Sequence, residues 1–330
     1  MSSVRTIARH AGVSITTVSR VLNNHPSVSD EVRQRVLSAT NLTGYTPAVG
    51  KKSTTNIALL FMGENSLGSP FDAAIMHGMS QGMEERGYDL MILDARRSRM
   101  SGESLSQMMI RKGVRGAVVR TTLPTRNAVL ALADENFPFV VVADRFEDPR
   151  INYVYSDSAV ASVDAVGHLV TLGHKRIGMV LNLIDDSDHA DRLAGYRQGL
   201  EENNLPFDEK LIFRAHANRE GGVQVLRHAM MRADRPTALY LADPMTAVGL
   251  LGEARRTGVR VPEDLSIVGF DDTDLRYMLC PELTCVCQDA TNLGKEAFNA
   301  LHDLIEGGHT VARRTLRTWL EIHASTGPVA

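Results

Sequence analysis

Apolar side chains recur at helical spacing in three short blocks near the start of the chain. Gly12 permits a tight turn after the first block, Ser14 can cap the second helix, and Ser29 can begin the third. The pattern therefore predicts three short helices, which together make a very small domain. The apolar positions are Ile7, Ala8 and Ala11, then Val18, Val21 and Leu22, then Val32, Val36 and Leu37.

From Ile57 onward, continuous apolar segments alternate with amphipathic ones. Apolar strands separated by helices are typical of parallel sheets that are covered on both faces. This part of the chain is longer than a single hydrophobic core usually accommodates. We therefore expect an α/β body of two doubly wound parallel sheets with a cleft between them. The pattern predicts strands at 57–61, 89–93, 116–120, 139–143, 176–180, 238–242 and 266–270, and helices at 71–86 and 105–111.

Between these two regions lies the stretch PAVGKKSTTN, which combines Pro, Gly, paired Lys and small polar residues without periodicity. The sequence thus predicts a helical domain at 1–47, a short linker at 48–56 and a larger domain at 57–330. We call the first region the head and the last region the body.

Charge is divided unevenly between head and body. Residues 1–52 carry seven Lys and Arg against two acids, a net charge of +5, whereas the remaining residues carry −8. This asymmetry favours contact between the head and a polyanion, because cations on phosphates release counterions. Clustering on a solvated surface is the alternative explanation.

Composition excludes several other classes. The 330 residues are 43% hydrophobic and 23% charged, and no apolar run reaches the roughly 18 residues of a membrane span. The opening residues MSSVRTIARHAGVS lack the apolar core of a signal peptide, so we expect a cytoplasmic protein. Cys280, Cys285 and Cys287 are an odd set without a fourth ligand, which argues against a disulfide framework and a metal site.

The segment TIARHAGVSITTVSRVLN at 6–23 predicts a helix, a turn and a second helix whose outward face suits the major groove of DNA. Arg20 can contact guanine bidentately, and Ile15 and Thr16 can reach base edges. Short hydroxyl, amide and basic side chains suit the phosphates. The predicted backbone contacts are Ser14, Thr17, Ser19, Asn23, Ser29, Lys51 and Lys52. A helical interaction module that does not bind DNA is the alternative.

These residues, followed by PSVSDEVRQRVL and GYTP, resemble the head of the lactose-repressor/galactose-repressor family of bacterial transcriptional regulators. The resemblance extends through the body in GHKRI, RLAGY, RPTALYLADPMTAVGLL and VPEDLSIVGFDDT. It implies a homodimeric regulator, usually a repressor, that binds an imperfectly palindromic DNA operator. The body would resemble a periplasmic sugar-binding protein, with one subdomain at 57–157 and 289–318 and a second at 158–288 and 319–330.

Two segments depart from the family pattern. Family members follow the Tyr45-Thr46-Pro47 motif with a hinge helix whose leucine enters the minor groove, but this linker is shorter and has no leucine. We therefore expect no wedge, and Lys51 and Lys52 on phosphates instead. In NLTGY the family's leucine is displaced to Leu42, which predicts looser packing of the third helix. The final residues WLEIHASTGPVA show no leucine heptads, so we expect no coiled-coil tetramer.

Several aspartates directly follow predicted strands, at the edge where open α/β sheets bind ligands. They are Asp94, Asp144, Asp243, Asp271 and Asp272. About half of such residues are expected to be helix caps, and Asp243 can cap a helix that begins near Pro244.

By resemblance, the effector contacts map onto Ser69, Phe71, Asp144, Arg192, Asp271 and Gln288, to which we add Asp186, Asp188 and Asp243. This mixture suits a small sugar or sugar-like effector, and the acidic stretch 185–191 disfavours a phosphorylated or carboxylated one. A solvated acidic loop is the alternative for that stretch, and His189 within it is expected to be exposed. Phe71, Tyr196 or Tyr240 would supply any aromatic platform.

No sequence motif indicates catalysis or a cofactor. The chain has no GxGxxG after a strand, no GxxxxGK[ST] loop, no GxSxG elbow and no HExxH pair. The sequence therefore favours a DNA-binding regulator over a sugar-processing α/β enzyme. The other alternative is a cytoplasmic solute-binding receptor with weakened or lost DNA binding, which the missing hinge leucine supports.

Overall fold

The computed structural model describes residues 3–22, 27–43, 54–63, 69–308 and 311–329. The predicted contacts Asn23, Lys51 and Lys52 and the side chains of Leu42 and Thr43 lie outside this described part. No helix within the described ranges is long and apolar enough to cross a membrane.

The head folds as the apolar spacing predicts, into helices α1 (Val4–Ala11), α2 (Ile15–Leu22) and α3 (Asp30–Thr43). Its core is centred on the fully buried Ile7, Val18 and Val36. Gly12 ends α1 in the left-handed region at φ +64°, which confirms its predicted turn. Arg35 on α3 donates to the carbonyl oxygen of Ala11 at 2.8 Å, so it satisfies a free carbonyl at the end of α1.

The body consists of two six-stranded sheets with helices on both faces of each. In spatial order the first sheet is β11-β5-β4-β3-β1-β2 and the second is β12-β10-β9-β8-β6-β7. The strands are β1 (Asn56–Phe61), β2 (Asp89–Asp94), β3 (Ala117–Arg120), β4 (Phe139–Val142), β5 (Tyr153–Asp157), β6 (Ile177–Asn182), β7 (Ile212–Ala215), β8 (Ala238–Leu241), β9 (Ser266–Asp271), β10 (Thr284–Cys287), β11 (Arg313–Arg317) and β12 (Trp319–Glu321). The helices are α4 (Pro70–Met83), α5 (Ala95–Ser98), α6 (Leu105–Arg111), α7 (Arg126–Ala133), α8 (Ala159–Thr171), α9 (Ser187–Glu202), α10 (Arg219–Met231), α11 (Pro244–Thr257) and α12 (Ala290–Ile305).

Burial on both faces explains why the central strands are apolar throughout. In β1, Ile57 and Leu59 pack with α4 and α12, whereas Ala58 and Leu60 pack with α6 on the opposite face. Alternate residues of a strand point to opposite faces, so both sets must be apolar.

The predicted parallel sheets are confirmed, and among the described strands β12 departs from this pattern because it runs antiparallel to β10. The strand pattern also missed β5, β7, β10, β11 and β12. The edge strand β11 was missed because it carries exposed polar side chains such as Arg313 and Arg317. The chain crosses between the sheets after β5, after β10 and between β11 and β12.

Helices α4 and α12 approach each other closely through two glycines. A Cβ added at Gly78 would lie 1.8 Å from the carbonyl oxygen of Thr291, and one at Gly294 would lie 2.1 Å from that of Ile75. Because both obstacles are backbone atoms, a side chain at either position forces the helices apart.

We expect Gly294→Ala to lower the free energy of unfolding by about 1–3 kcal/mol, because the added methyl group overpacks this contact. Gly167→Ala in α8 is the matched control, since a Cβ there meets no atom within 4 Å. That variant should be neutral or more stable by up to about 1 kcal/mol, owing to its better helix propensity. Urea unfolding followed by circular dichroism measures both, and equal stability of the two variants would contradict the packing argument.

Candidate effector cavity and DNA-binding face

A cavity of about 350 Å³ lies between the two sheets. Its wall is formed by residues that follow the carboxyl ends of β1, β3, β6, β7, β8 and β9, and by the first turns of α4, α9 and α11. Parallel strands bring all these chain segments to one edge of each sheet, which is where open α/β sheets bind ligands.

Six of the nine predicted effector contacts line this cavity. Ser69 and Phe71 lie at the start of α4, and Asp243 lies immediately before α11. Asp186, Asp188 and Arg192 belong to the start of α9, where Asp186 accepts a hydrogen bond from the backbone of the first turn. The structure therefore brings these six residues together from three separate helices.

The other three, Asp144, Asp271 and Gln288, do not line the cavity wall. The Asp271 carboxylate accepts from Arg276 at 2.7 Å, and Gln288 donates its amide to Asp272. Asp272 itself faces the cavity in place of its neighbour. Consecutive residues at a strand end point to opposite sides, so a choice between two adjacent aspartates decides which one faces the ligand.

Asp144 contributes instead to a polar contact between the two halves of the body. Its carboxylate accepts from Arg126 at 2.9 Å and from the hydroxyl of Ser187 at the start of α9. Beside it, Arg145 forms a two-pronged ion pair with Asp191, also on α9, with one contact of 2.8 Å. These groups join the end of β4 to α9 along one flank of the cavity.

The acidic stretch is not the solvated loop that the sequence left open, because Ser187 already begins α9 and both Asp188 and Asp191 are buried. The prediction of an exposed His189 is also wrong, since only 9% of this residue is exposed. Its ring nitrogens lie 2.7 Å from Asp186 and 3.0 Å from Asp243. Asp243 is the N-cap residue of α11, but its side chain accepts no hydrogen bond from the backbone of that helix. Its carboxylate binds His189 instead.

These contacts fix the charge of His189. Burial alone would lower its pKa, but Asp243 and Asp186 on either side outweigh burial and raise the pKa to about 10. His189 is therefore an imidazolium at neutral pH, with both N–H groups donated to carboxylates. The same imidazolium lowers the pKa of Asp186 against the opposing effect of burial.

Asp188 and Asp272 are in a different position. Burial raises the pKa of Asp188 to about 7 and that of Asp272 to about 6, and the nearby Arg192 guanidinium offsets this only in part. One carboxylate oxygen of Asp188 and the Nε of Arg192 are buried without a hydrogen-bond partner. Buried polar atoms are normally hydrogen-bonded, so these two atoms are candidates for contact with a ligand.

Sequence reasoning missed a further pair in the wall, Asp72 and Arg120. Arg120 at the end of β3 donates to Asp72 on α4 at 3.1 Å and stacks over the ring of Phe71, with 4.7 Å between guanidinium carbon and ring centroid. Arg120 lies at the carboxyl end of a predicted strand, and this position could have identified it as a candidate residue of the cavity wall. Burial raises the pKa of Asp72, against the opposing effect of Arg120.

Only Phe71 among the three predicted aromatic residues reaches the cavity wall. Tyr196 and Tyr240 are fully buried, and their hydroxyls bind the carbonyl oxygen of Ile177 and the hydroxyl of Ser162, each at 2.7 Å. Phe61 at the end of β1 joins Phe71 in the wall. Among the residues that the structure describes, no cluster of His, Cys, Asp or Glu has the arrangement of a metal site.

In the head, α2 presents the predicted base-reading side chains to solvent. Ile15 is 49% exposed, and Thr16 and Arg20 beside it are also exposed. Of the predicted backbone contacts in the described part, Ser14, Ser19 and Ser29 are exposed and Thr17 is half-buried. Ser14 accepts from the backbone N–H of Thr17 at 3.0 Å, which confirms its predicted cap.

Comparison with known proteins finds matches for both regions. The family described as bacterial regulatory proteins, lacI family, matches residues 3–48, and the periplasmic binding protein-like domain matches residues 166–326. The ribose operon repressor of Haemophilus influenzae is 32% identical over 310 residues, which cover 91% of each chain. The transcriptional repressor CytR of Escherichia coli is 31% identical over 315 residues, covering 93% of this chain and 91% of that protein.

Two solved structures extend the similarity to the whole fold. The transcriptional regulator CelR in complex with cellobiose has a TM-score of 0.73 and 28% identity, and the match covers 98% of this chain and 100% of that one. The lac repressor dimer bound to operator and the anti-inducer ONPF has a TM-score of 0.71 and 25% identity, and the match covers 99% of each chain. The chain therefore belongs to the lacI family of bacterial regulatory proteins.

Proposed function

We propose that this protein is a homodimeric, cytoplasmic transcriptional repressor whose affinity for an operator is controlled by a small sugar-like effector bound between the two sheets. The observation that carries the proposal is the polar cavity bounded by both sheets, in a chain that also presents the exposed face of α2. The relatives support it, since they include a ribose operon repressor, a cellobiose complex and an operator-bound dimer.

The head suits specific recognition of DNA. The base-reading side chains project from α2, while Arg35 donates to the carbonyl oxygen of Ala11 and so ties α3 to the end of α1. One head of this size makes only a few contacts, and a twofold dimer places two heads on two half-sites in opposite orientation. Operator affinity then depends on the spacing of the two heads.

The body suits control of that spacing. An effector in the cavity contacts residues that follow strands of both sheets, so its binding favours one relative position of the two halves. The polar bridge from Asp144 and Arg145 to α9 is part of the arrangement that an effector strengthens or weakens. Such coupling between effector and operator is reciprocal and typically amounts to about 1–3 kcal/mol.

We expect Arg20→Lys to reduce discrimination between operator and random DNA by about 1–3 kcal/mol, because lysine keeps the charge but loses the forked contact with guanine. Arg20→Ala should reduce it similarly and should also weaken binding to random DNA, since it removes a cation. Fluorescence anisotropy on a labelled fragment upstream of the gene, at fixed salt, measures both variants. Full discrimination in Arg20→Lys would exclude Arg20 as a base-reading residue.

We expect Arg192→Met to abolish the change in operator affinity that an effector causes, because this guanidinium offers an unpartnered donor in the cavity wall. Arg197→Met is the matched control, because Arg197 lies on the same helix but outside this cavity. Anisotropy titrations with and without a panel of sugars compare the two variants. A full sugar response in Arg192→Met would place the effector elsewhere, and selective DNA binding that no sugar shifts would contradict the control mechanism.

A further inference from the structure

The wall of the cavity carries more carboxylates than cations. Its acidic side chains are Asp72, Asp186, Asp188, Asp243 and Asp272, and its cationic ones are Arg120, His189 and Arg192. With His189 protonated, ionisation of all the carboxylates leaves an excess of two negative charges. His216, also in the wall, is exposed to solvent.

Two of the three cations are hydrogen-bonded to carboxylates of the wall, and the third, Arg192, binds a neutral carbonyl group. Arg120 binds Asp72, and both ring nitrogens of His189 bind carboxylates. Arg192 donates to the backbone carbonyl of Ala242 at 2.6 Å and packs 3.5 Å from the ring centroid of Phe270. Asp72, Asp186 and Asp243 are thus hydrogen-bonded to cations. Among the described residues, the structure shows no such bond to Asp188 or Asp272.

The excess is concentrated at Asp188. This residue is 5% exposed, lines the cavity and has one carboxylate oxygen without a partner. Burial raises its pKa, Asp186 adds repulsion, and the surrounding Arg192, Arg120 and His189 compensate only in part. An ionised carboxylate that is buried without sufficient pairing is costly, so a ligand cation at this point would be strongly stabilised.

A neutral sugar would donate hydrogen bonds to Asp188 but would leave the net charge of the wall unchanged. An anionic ligand would add to the repulsion. An ammonium group both donates to the free carboxylate oxygen and offsets the charge, and hydrogen bonds between ionised partners are the stronger kind. Phe61 and Phe71 in the wall can cover the apolar face of a sugar ring beside it.

We propose that the effector is an amine-bearing sugar, or a similarly polyhydroxylated amine, whose ammonium group pairs with Asp188. This inference rests on the proposed function, because it names the chemical class of the effector in the same cavity. The inference goes beyond the proposed function because it requires the effector to carry a positive charge, which a sugar-like effector need not have.

The test is isothermal titration calorimetry of the full-length protein with matched sugars at neutral pH. Each set contains an amino sugar, its neutral parent and its N-acetyl derivative, for example D-glucosamine, D-glucose and N-acetyl-D-glucosamine, with the corresponding galactose and mannose sets. We expect an amino sugar to bind about tenfold or more tightly than both partners in at least one set. If no set shows a preference for the amine, the inference is wrong.

Two variants test whether Asp188 causes the preference for amino sugars over neutral sugars. Asp188→Asn keeps the shape and a hydrogen-bond acceptor but removes the charge, so the ratio of amine to neutral affinity should fall close to one. Glu201→Gln removes a carboxylate of the same helix that is exposed and lies outside both the cavity wall and the bridge to β4, and it should keep the wild-type ratio. A preference that survives in Asp188→Asn would overturn the assignment of this residue.

Thermal unfolding without ligand tests whether Asp188 is poorly paired in the free protein. Its folded pKa of about 7 lies above the ordinary value of 3.8, so between these values the folded state holds a proton that the unfolded state has released. Wild-type stability should therefore fall relative to Asp188→Asn as pH rises from about 5 to about 7. If the Tm of the wild type does not fall relative to the Tm of Asp188→Asn over this range, Asp188 is fully paired without a ligand.

The outcomes also separate this inference from the proposed function. If neutral sugars bind and shift operator affinity without any preference for amines, the regulator stands and the charged effector does not. If no sugar of any charge binds or alters operator affinity, sugar control of the repressor fails as well.

Discussion

The direction of the strands determines where this protein can bind a small molecule. Because the central strands of each sheet are parallel, their carboxyl ends and the helices that follow them meet at one edge. The two sheets present these edges to a common cavity, so residues far apart in sequence, such as Asp72, His189 and Asp272, share one wall. The electrostatics of the cavity follow from this convergence.

Convergence also explains why the acidic residues of the wall behave differently from one another. Asp186 caps α9 and binds His189, so its negative charge is well compensated. Asp188 lies two residues later on the same helix, without a partner for one oxygen, and burial dominates its pKa. The pKa values of these two carboxylates in one helical turn are thus shifted in opposite directions. Asp186 has a structural role, and Asp188 is the one that we propose binds the ligand.

The apolar spacing of the sequence was sufficient to predict the head, the two-sheet body and seven of the twelve strands in the described part of the chain, but not the interior strands β5 and β10. It could not predict edge strands such as β11, whose side chains are polar because they face water. Asp243 could be proposed from the strand end before it, whereas Ser69 was proposed from the family resemblance alone, and both line the cavity. The contact between His189 and Asp243 was not predictable, because it depends on how the starts of α9 and α11 meet in the folded protein and not on a local sequence pattern.

The same limit applies to Asp271 and Asp272. The sequence places both after β9, and one residue of register decides which side chain turns toward the cavity and which binds Arg276. The net charge of the sequence likewise could not reveal that carboxylates outnumber cations in the cavity wall. Ion pairs such as Arg120 with Asp72 form only in the folded protein.

All three crossings of the chain between the two sheets use β5 or β11, at one edge of the first sheet. Two of them use β10 and β12 at one edge of the second sheet, and the third passes from β5 through α8 to β6. Covalent connections gathered on one side act as a hinge, which permits rotation and resists sliding. A given rotation then displaces atoms in proportion to their distance from that side. In such a rotation the strands β2 and β7, at the opposite edges of the two sheets, would move farthest.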